Sequence, residues 1–289
     1  MKIGFIGLGS LGTPIAVNLA QSGHQLYVYN RTAAKTIPLA QKGAIVSESI
    51  ASLAAACEII FSIVSDDAAL KDISAPMAEH MKAGTVHVSM STILPATAGQ
   101  IASLHEEKGQ QYLAAPVFGR PEAAAAKKLN FAVSGKEELR NSIEPLLKEA
   151  GGAAVWHFGN SITAANTVKL CGNFLIAGAL EAIGESINLA AASGVNPQDM
   201  WAMFLQTLFS APVYQNYSSI ILNKRFEPAA FTAKLGLKDL NLVLQQGKSV
   251  DQTLPLAELL KQNMQQLVDS GKDTIDWSAV STAVDKNRG

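Results

Sequence analysis

Two cysteines in 289 residues are too few for a disulfide framework, and no grouping of His, Cys and carboxylates has metal-ligand spacing. Neither covalent staples nor a bound metal is therefore expected in this chain. Cys57 and Cys171 both lie among apolar neighbours and read as buried, reduced thiols. An excess of charge of one sign is missing too. The 23 Lys and Arg are balanced by 24 Asp and Glu for a formal net charge of −1, and the basic residues are scattered. That excludes the electrostatic footprint of a nucleic-acid binder or of a protein held on an anionic membrane. No uninterrupted run of eighteen apolar residues occurs, and the opening MKIGFIG carries one Lys before a short apolar stretch rather than the long apolar region of a signal peptide. A cytoplasmic protein without a membrane partner is the expectation. At this length the chain can hold two domains, each with its own core.

What is present is concentrated at the start. Ile3 to Ile6 is an apolar run suited to a buried parallel strand, and Gly7, Gly9 and Gly12 follow at once in G-x-G-x-x-G spacing. Such a loop, Gly7-Leu8-Gly9-Ser10-Leu11-Gly12, permits a tight turn, lets backbone approach a pyrophosphate, and allows a helix to pack closely on the strand that feeds it. The helix N-terminus then aims free N–H groups and partial positive charge at the phosphates. Pro14 suits the first turn of that helix, Gly23 suits its end, and Gln25 to Tyr29 supplies the second strand of a βαβ unit. At the end of that strand NAD-preferring folds place a carboxylate for the ribose 2′-hydroxyl, whereas this chain has Asn30-Arg31-Thr32. The pattern points to NADP(H) as the preferred cofactor, with NAD(H) as the second one admitted.

From residue 33 to about 110, helical and strand patterns alternate, the signature of a doubly wound sheet. Ligands in such sheets bind at the carboxyl ends of strands. The strand Glu58 to Val64 runs into Ser65-Asp66-Asp67, so Val64, Ser65 and Asp66 should border the cofactor. The strand Thr85 to Met90 ends in Ser91-Thr92, whose hydroxyls suit either a helix cap or the nicotinamide ribose. Next, YLAAPVFGR at Tyr112 to Arg120 enters a tight loop, where Phe118, Gly119 and Arg120 are candidates for a substrate wall, and a strand at Asn130 to Ser134 follows. Gly119 would supply backbone N–H groups and Arg120 a fork suited to a carboxylate, although a loop arginine commonly faces solvent. Near Ser161 the strands cease. Thr163 to Gly194 reads as one helix of some thirty residues, and further helices are expected at Pro197–Phe209, Pro212–Asn223, Ala229–Gln246 and Pro255–Ser270. Domains at 1–162 (dinucleotide-binding) and 163–289 (all-helical) follow, joined by a helix long enough to bridge them. Lys169 is conspicuous in that apolar helix, and Asn173 sits one turn later on the same face.

These residues together resemble the β-hydroxyacid dehydrogenases, the group that includes 3-hydroxyisobutyrate dehydrogenase, tartronate semialdehyde reductase and the glyoxylate/succinic semialdehyde reductases. The resemblance runs over essentially the full length: GFIGLGSLG, then APVFG where the family has D-A-P-V-S-G-G, Lys169 and Asn173 in K-x-x-x-N spacing, and Phe231 with Lys238-Asp239-Leu240. It implies an α/β N-terminal Rossmann domain followed by an all-α domain, and hydride transfer between a nicotinamide and a small β-hydroxyacid or short semialdehyde. By the same resemblance Lys169 is the general acid/base, Asn173 and the backbone near Gly119 hold substrate, Ser91 and Thr92 lie at substrate and nicotinamide, and Lys238 reaches the cofactor. A homodimer or homotetramer is the implied assembly. The chain departs from the pattern at Ala114 in place of Asp, Phe118 in place of Ser, Arg120 in place of the second Gly, and Thr163 and Ala165 where many members have G-x-G. Other readings on the same scaffold are an imine reductase, a 6-phosphogluconate dehydrogenase-like reductase, and a non-catalytic dinucleotide-binding module. The retained lysine argues against many imine reductases.

Overall fold

The computed structural model describes residues 1–285, without the side chains of residues 283–285. In chain order the elements are β1 (Lys2–Ile6), α1 (Gly12–Ala20), β2 (Gln25–Tyr29), α2 (Ile37–Ala40), β3 (Ile45–Val46), α3 (Ile50–Ala56), β4 (Ile59–Ser62), α4 (Asp67–His80), β5 (Val86–Ser89), α5 (Pro95–Glu107) and β6 (Gln111–Ala114). Then come β7 (Val117–Phe118), α6 (Pro121–Ala125), β8 (Leu129–Val133), α7 (Glu137–Glu149) and β9 (Gly152–His157). The helical remainder comprises α8 (Ala164–Ala192), α9 (Pro197–Gln206), α10 (Pro212–Leu222), α11 (Ala233–Ser249), α12 (Pro255–Asp269) and a 3₁₀ segment at Trp277–Asp285. The chain divides into two compact units, and the division falls inside α8, after Lys169.

In the first unit six strands lie in the order β3-β2-β1-β4-β5-β6, all parallel. The order reverses between β1 and β4, which is where a doubly wound sheet opens its ligand crevice. Alternation along the strands supplies both covers. Ile3, Phe5, Val28, Phe61 and Val88 face Ile15, Ala16 and Leu19 of α1 and Ile143, Leu146 and Leu147 of α7. Ile6, Tyr27, Tyr29 and Ile60 face Leu53 of α3 and Met77 of α4. Each fully buried side chain of this size stabilises the unit by roughly 1.5–3 kcal/mol. A second sheet, β7-β8-β9, was not apparent from sequence. In it β7 runs antiparallel to β8, and β8 runs parallel to β9.

One polar chain crosses the core of this unit. Gln110 Nε2 donates to the carbonyls of Ala78 and Met81 at 2.9 and 2.8 Å, which leaves its Oε1 to accept from His105 Nδ1 at 2.8 Å. His105 Nε2 therefore accepts from His87 Nδ1 at 3.0 Å, and His87 Nε2 accepts from the Ser62 hydroxyl at 2.8 Å. Both rings are fully buried and neutral. Burial, with His105 alongside, holds His87 well below the ordinary imidazole range; burial also lowers His105 against the opposing hydrogen bond from Gln110.

The second unit packs Leu180 and Ile183 of α8, Trp201 of α9, Tyr217 of α10, Leu240 of α11, Leu260 and Met264 of α12, and Trp277 into one core. Proline opens α9, α10 and α12, where its missing N–H costs nothing. Helix α11 begins at Ala233 rather than Ala229, because the Thr232 hydroxyl accepts the Leu235 N–H and stops the helix there. Helix α8 is long and apolar enough to cross a bilayer by length and composition. Of its most apolar stretch 39 % is buried, and Ala177, Leu180 and Ile183 lie in the core of this unit. Its Glu181 is buried, accepts from Asn263 of α12 at 2.7 Å, and is held above the ordinary carboxylate range by that burial. The expectation for the cysteines holds for Cys57, buried with its thiol pushed up to about 12, and fails for Cys171, which is exposed. Cys171 shares an outward stripe of α8 with Leu175, four residues on, while Leu170 points inward.

Candidate active site

The glycine loop follows β1 at the sheet's reversal point, and its backbone admits no other residue at two places. A Cβ on Gly7, whose φ is +102°, would lie 2.0 Å from the Ile63 carbonyl oxygen; one on Gly12 would lie 2.0 Å from the Gly7 carbonyl oxygen. At Gly9 nothing lies within 4 Å, so the loop is packed tight behind and open in front. No described side chain caps the start of α1, and its first turn carries no acidic residue. An uncapped helix start above an open glycine is the arrangement a pyrophosphate needs, so these residues fit a dinucleotide. The opening continues into a cavity of about 620 Å³ lined by Leu8, Gly9, Ser10, Thr13 and Pro14, with Lys35, Pro38, Pro121 and Glu122 on its other walls.

Around that loop the expected cofactor residues divide into braces and exposed groups. Asn30 is a brace: its Oδ1 accepts the Leu8 N–H at 2.8 Å and its Nδ2 donates to the Thr32 carbonyl at 3.0 Å. Arg31 and Thr32 are exposed beyond it. Lys35, which sequence reasoning did not single out, lines the cavity beside the glycine loop. Ser91 is buried, and its hydroxyl accepts the Val64 N–H at 2.9 Å, tying the ends of β4 and β5 together. Asp66 caps α4 by accepting the Ala69 N–H at 2.8 Å, and also accepts the Ser65 hydroxyl at 2.7 Å. Thr92 is half-buried next to Ser91.

In the same unit, β7 carries Phe118 into register with Asn130 of β8. Gly119 follows with φ +144°, where a Cβ would lie 2.5 Å from Leu129 Cδ2, so glycine alone fits. The Arg120 side chain is only 25 % exposed, with its Nε 3.9 Å from a carboxylate oxygen of Glu122. Lys169, at the end of this unit, is 8 % exposed and holds its Nζ 4.2 Å from the centroid of the Phe118 ring. The structure thus brings Phe118 and Lys169 together.

In the second unit Asn173 is buried, and its Nδ2 donates to Asp239 of α11. Lys238 places its Nζ 2.6 Å from the other oxygen of the same carboxylate. Asp239, itself buried, therefore sets the orientation of the Asn173 amide and takes the charge of Lys238. Sequence reasoning quoted Asp239 within its motif and gave it no task; a carboxylate next to a lysine in an otherwise apolar helix face was the available signal.

Two family models cover the chain. Residues 2–159 match the NAD binding domain of 6-phosphogluconate dehydrogenase, and residues 163–284 match the NAD-binding model of NADP-dependent 3-hydroxyisobutyrate dehydrogenase. Among curated relatives, an uncharacterised oxidoreductase of Bacillus subtilis is 38 % identical over 283 residues, covering 97 % of this chain and 98 % of its own. The 2-hydroxy-3-oxopropionate reductase of Escherichia coli is 30 % identical over 288 residues, covering 99 % and 97 %. Among solved structures, a Mycobacterium tuberculosis 3-hydroxyisobutyrate dehydrogenase with L-serine superposes with a TM-score of 0.89 at 24 % identity, covering 100 % of this chain and 99 % of that one.

Proposed function

Because the chain belongs to the 3-hydroxyisobutyrate dehydrogenase family of NAD(P)-dependent oxidoreductases, we propose that it reduces a short semialdehyde, or oxidises the matching β-hydroxyacid, with NADP(H) and with Lys169 as general acid/base. The observation that carries this reading is a buried lysine in the K-x-x-x-N spacing of α8, in a chain whose glycine loop is shaped for a pyrophosphate. A bound nicotinamide supplies or accepts the hydride. The chain's own residues do the rest. Gly9 and the start of α1 seat the pyrophosphate; the exposed Arg31 and, on the cavity wall, Lys35 offer cations to a 2′-phosphate. Lys169 gives a proton to the carbonyl oxygen as hydride reaches the carbon, and takes it back in the reverse direction. Asn173 offers a neutral hydrogen bond to a substrate oxygen, its amide oriented by Asp239.

Leu175 and Leu189 of α8, 72 % and 70 % exposed, support assembly as a homodimer or homotetramer.

The test is turnover of NADPH against glyoxylate, succinic semialdehyde and 2-hydroxy-3-oxopropionate, with Lys169→Ala alongside. General acid–base catalysis contributes about 10²–10⁴-fold, so Lys169→Ala should lose that much kcat while NADPH binding, read by fluorescence, persists. A variant that keeps more than about a tenth of wild-type turnover sinks the assignment.

A further inference from the structure

A lysine that is 8 % exposed must have its ammonium compensated by something other than water, and one compensating group is the face of Phe118, 4.2 Å from Nζ to centroid. The backbone that carries the ring is fixed on both sides. Phe118 is paired with Asn130 of β8, and the next residue, Gly119, is wedged between Leu129 and Ala123 in a backbone conformation that side chains rarely adopt. Ile93, Ala114, Ala132 and Ala165 belong to the apolar cluster against which the ring packs. The family pattern has a serine here, whose hydroxyl can bond a substrate. A phenylalanine ring offers no such bond, but its negative face attracts a cation and gains nothing from a neutral amine.

We propose that Phe118 is a positioning residue for Lys169, holding its side chain in the protonated, proton-donating form and so favouring carbonyl reduction. This rests on the assignment of Lys169 as the general acid. In that step a C–H bond forms by hydride transfer from the reduced nicotinamide and an O–H bond forms as one Nζ–H bond breaks. The amine left on Lys169 regains its proton from water. By keeping the ammonium to higher pH, the ring extends the range over which the donor is charged. The titratable member of the surrounding apolar cluster is Tyr112, whose phenol burial holds above its ordinary value. After β7 stand Arg120 and, in the first turn of α6, Glu122, with the Arg120 Nε 3.9 Å from a carboxylate oxygen of Glu122.

The experiment follows the Lys169 side chain itself, in the full-length protein labelled with ¹³Cε-lysine and titrated by NMR, the signal being assigned by its loss in Lys169→Arg. Phe118→Leu, which keeps apolar bulk and removes the ring face, should lower the Lys169 midpoint by roughly one pH unit. Phe118→Tyr should restore it, and 3,4,5-trifluorophenylalanine at 118, which keeps the shape and drains the ring face, should fall between. The alkaline limb of succinic semialdehyde reduction should move down by the same amount. Coincident midpoints in wild type and Phe118→Leu overturn the proposal, and so does an unshifted trifluorophenylalanine protein if Phe118→Leu fails to fold. An active Lys169→Ala would instead defeat the general-acid assignment, and the NMR midpoints would still decide whether the ring holds the charge.

Discussion

Acidification should unfold the first unit through its buried histidine pair, and the size of the effect follows from the hydrogen-bond chain. His87 and His105 are neutral, fully buried and joined in one donor sequence from Ser62 to Gln110. A proton added to either ring places a second donor where its neighbour already donates, and charges a site without water. In the unfolded chain both rings titrate near 6.5, whereas burial depresses both in the folded one. The unfolded state therefore binds more protons below neutrality, so this contribution to stability is complete above about pH 6.5 and is lost as pH falls. For a ring that stays neutral when folded, the loss between pH 7 and pH 5 is about 2 kcal/mol. If His87 alone stays neutral to pH 5 the fall is about 2 kcal/mol, and if both do it is about 4 kcal/mol. Urea unfolding followed by far-ultraviolet circular dichroism at pH 7 and pH 5 would show it, with the His87→Leu/His105→Leu double variant as control. The double variant should be weaker at pH 7, because Ser62 and Gln110 lose partners, yet lose less between the two pH values. Histidine ring NMR supplies the direct check: signals of His87 and His105 that titrate near 6.5 in the folded protein would refute the reasoning.

Two further outcomes follow from the cofactor side. Arg31→Ala and Lys35→Ala should each raise the Michaelis constant for NADPH well above the change for NADH, by about 10-fold or more if each makes a charge-assisted bond worth ~1.5–3 kcal/mol; equal affinity of the wild-type protein for the two cofactors would remove the basis for this. Gly12→Ala should abolish dinucleotide binding and lower the melting temperature, because its Cβ would lie 2.0 Å from the Gly7 carbonyl oxygen and backbone must shift to admit it. Unchanged NADPH affinity in a folded Gly12→Ala protein would mean that the loop does not seat the pyrophosphate.

Much of this molecule is determined within a few residues of sequence. The run Ile3–Ile6 with Gly7, Gly9 and Gly12 specifies a strand, a turn and a helix start because each glycine answers a local demand: a positive φ, an open approach, or contact between neighbouring backbone segments. Pro197, Pro212 and Pro255 mark helix starts for an equally local reason. Lys169 stands out in α8 because a cation interrupts an apolar helix, which needs no tertiary knowledge to see.

What only the tertiary structure decided depends on residues far apart in the chain. Cys171 looks buried from its apolar neighbours, but helical rotation and packing leave it outside. The partners of Asn173 and Lys169 are 66 and 51 positions away, at Asp239 and Phe118, and no periodicity links them. Nothing in the local sequence pairs His87 with His105; β5 and α5 bring His87 Nδ1 within 3.0 Å of His105 Nε2. Local sequence determines backbone conformation because φ, ψ and hydrogen-bond capacity belong to individual residues. Which side chains meet, and which charges must be held without water, is settled only when the elements pack.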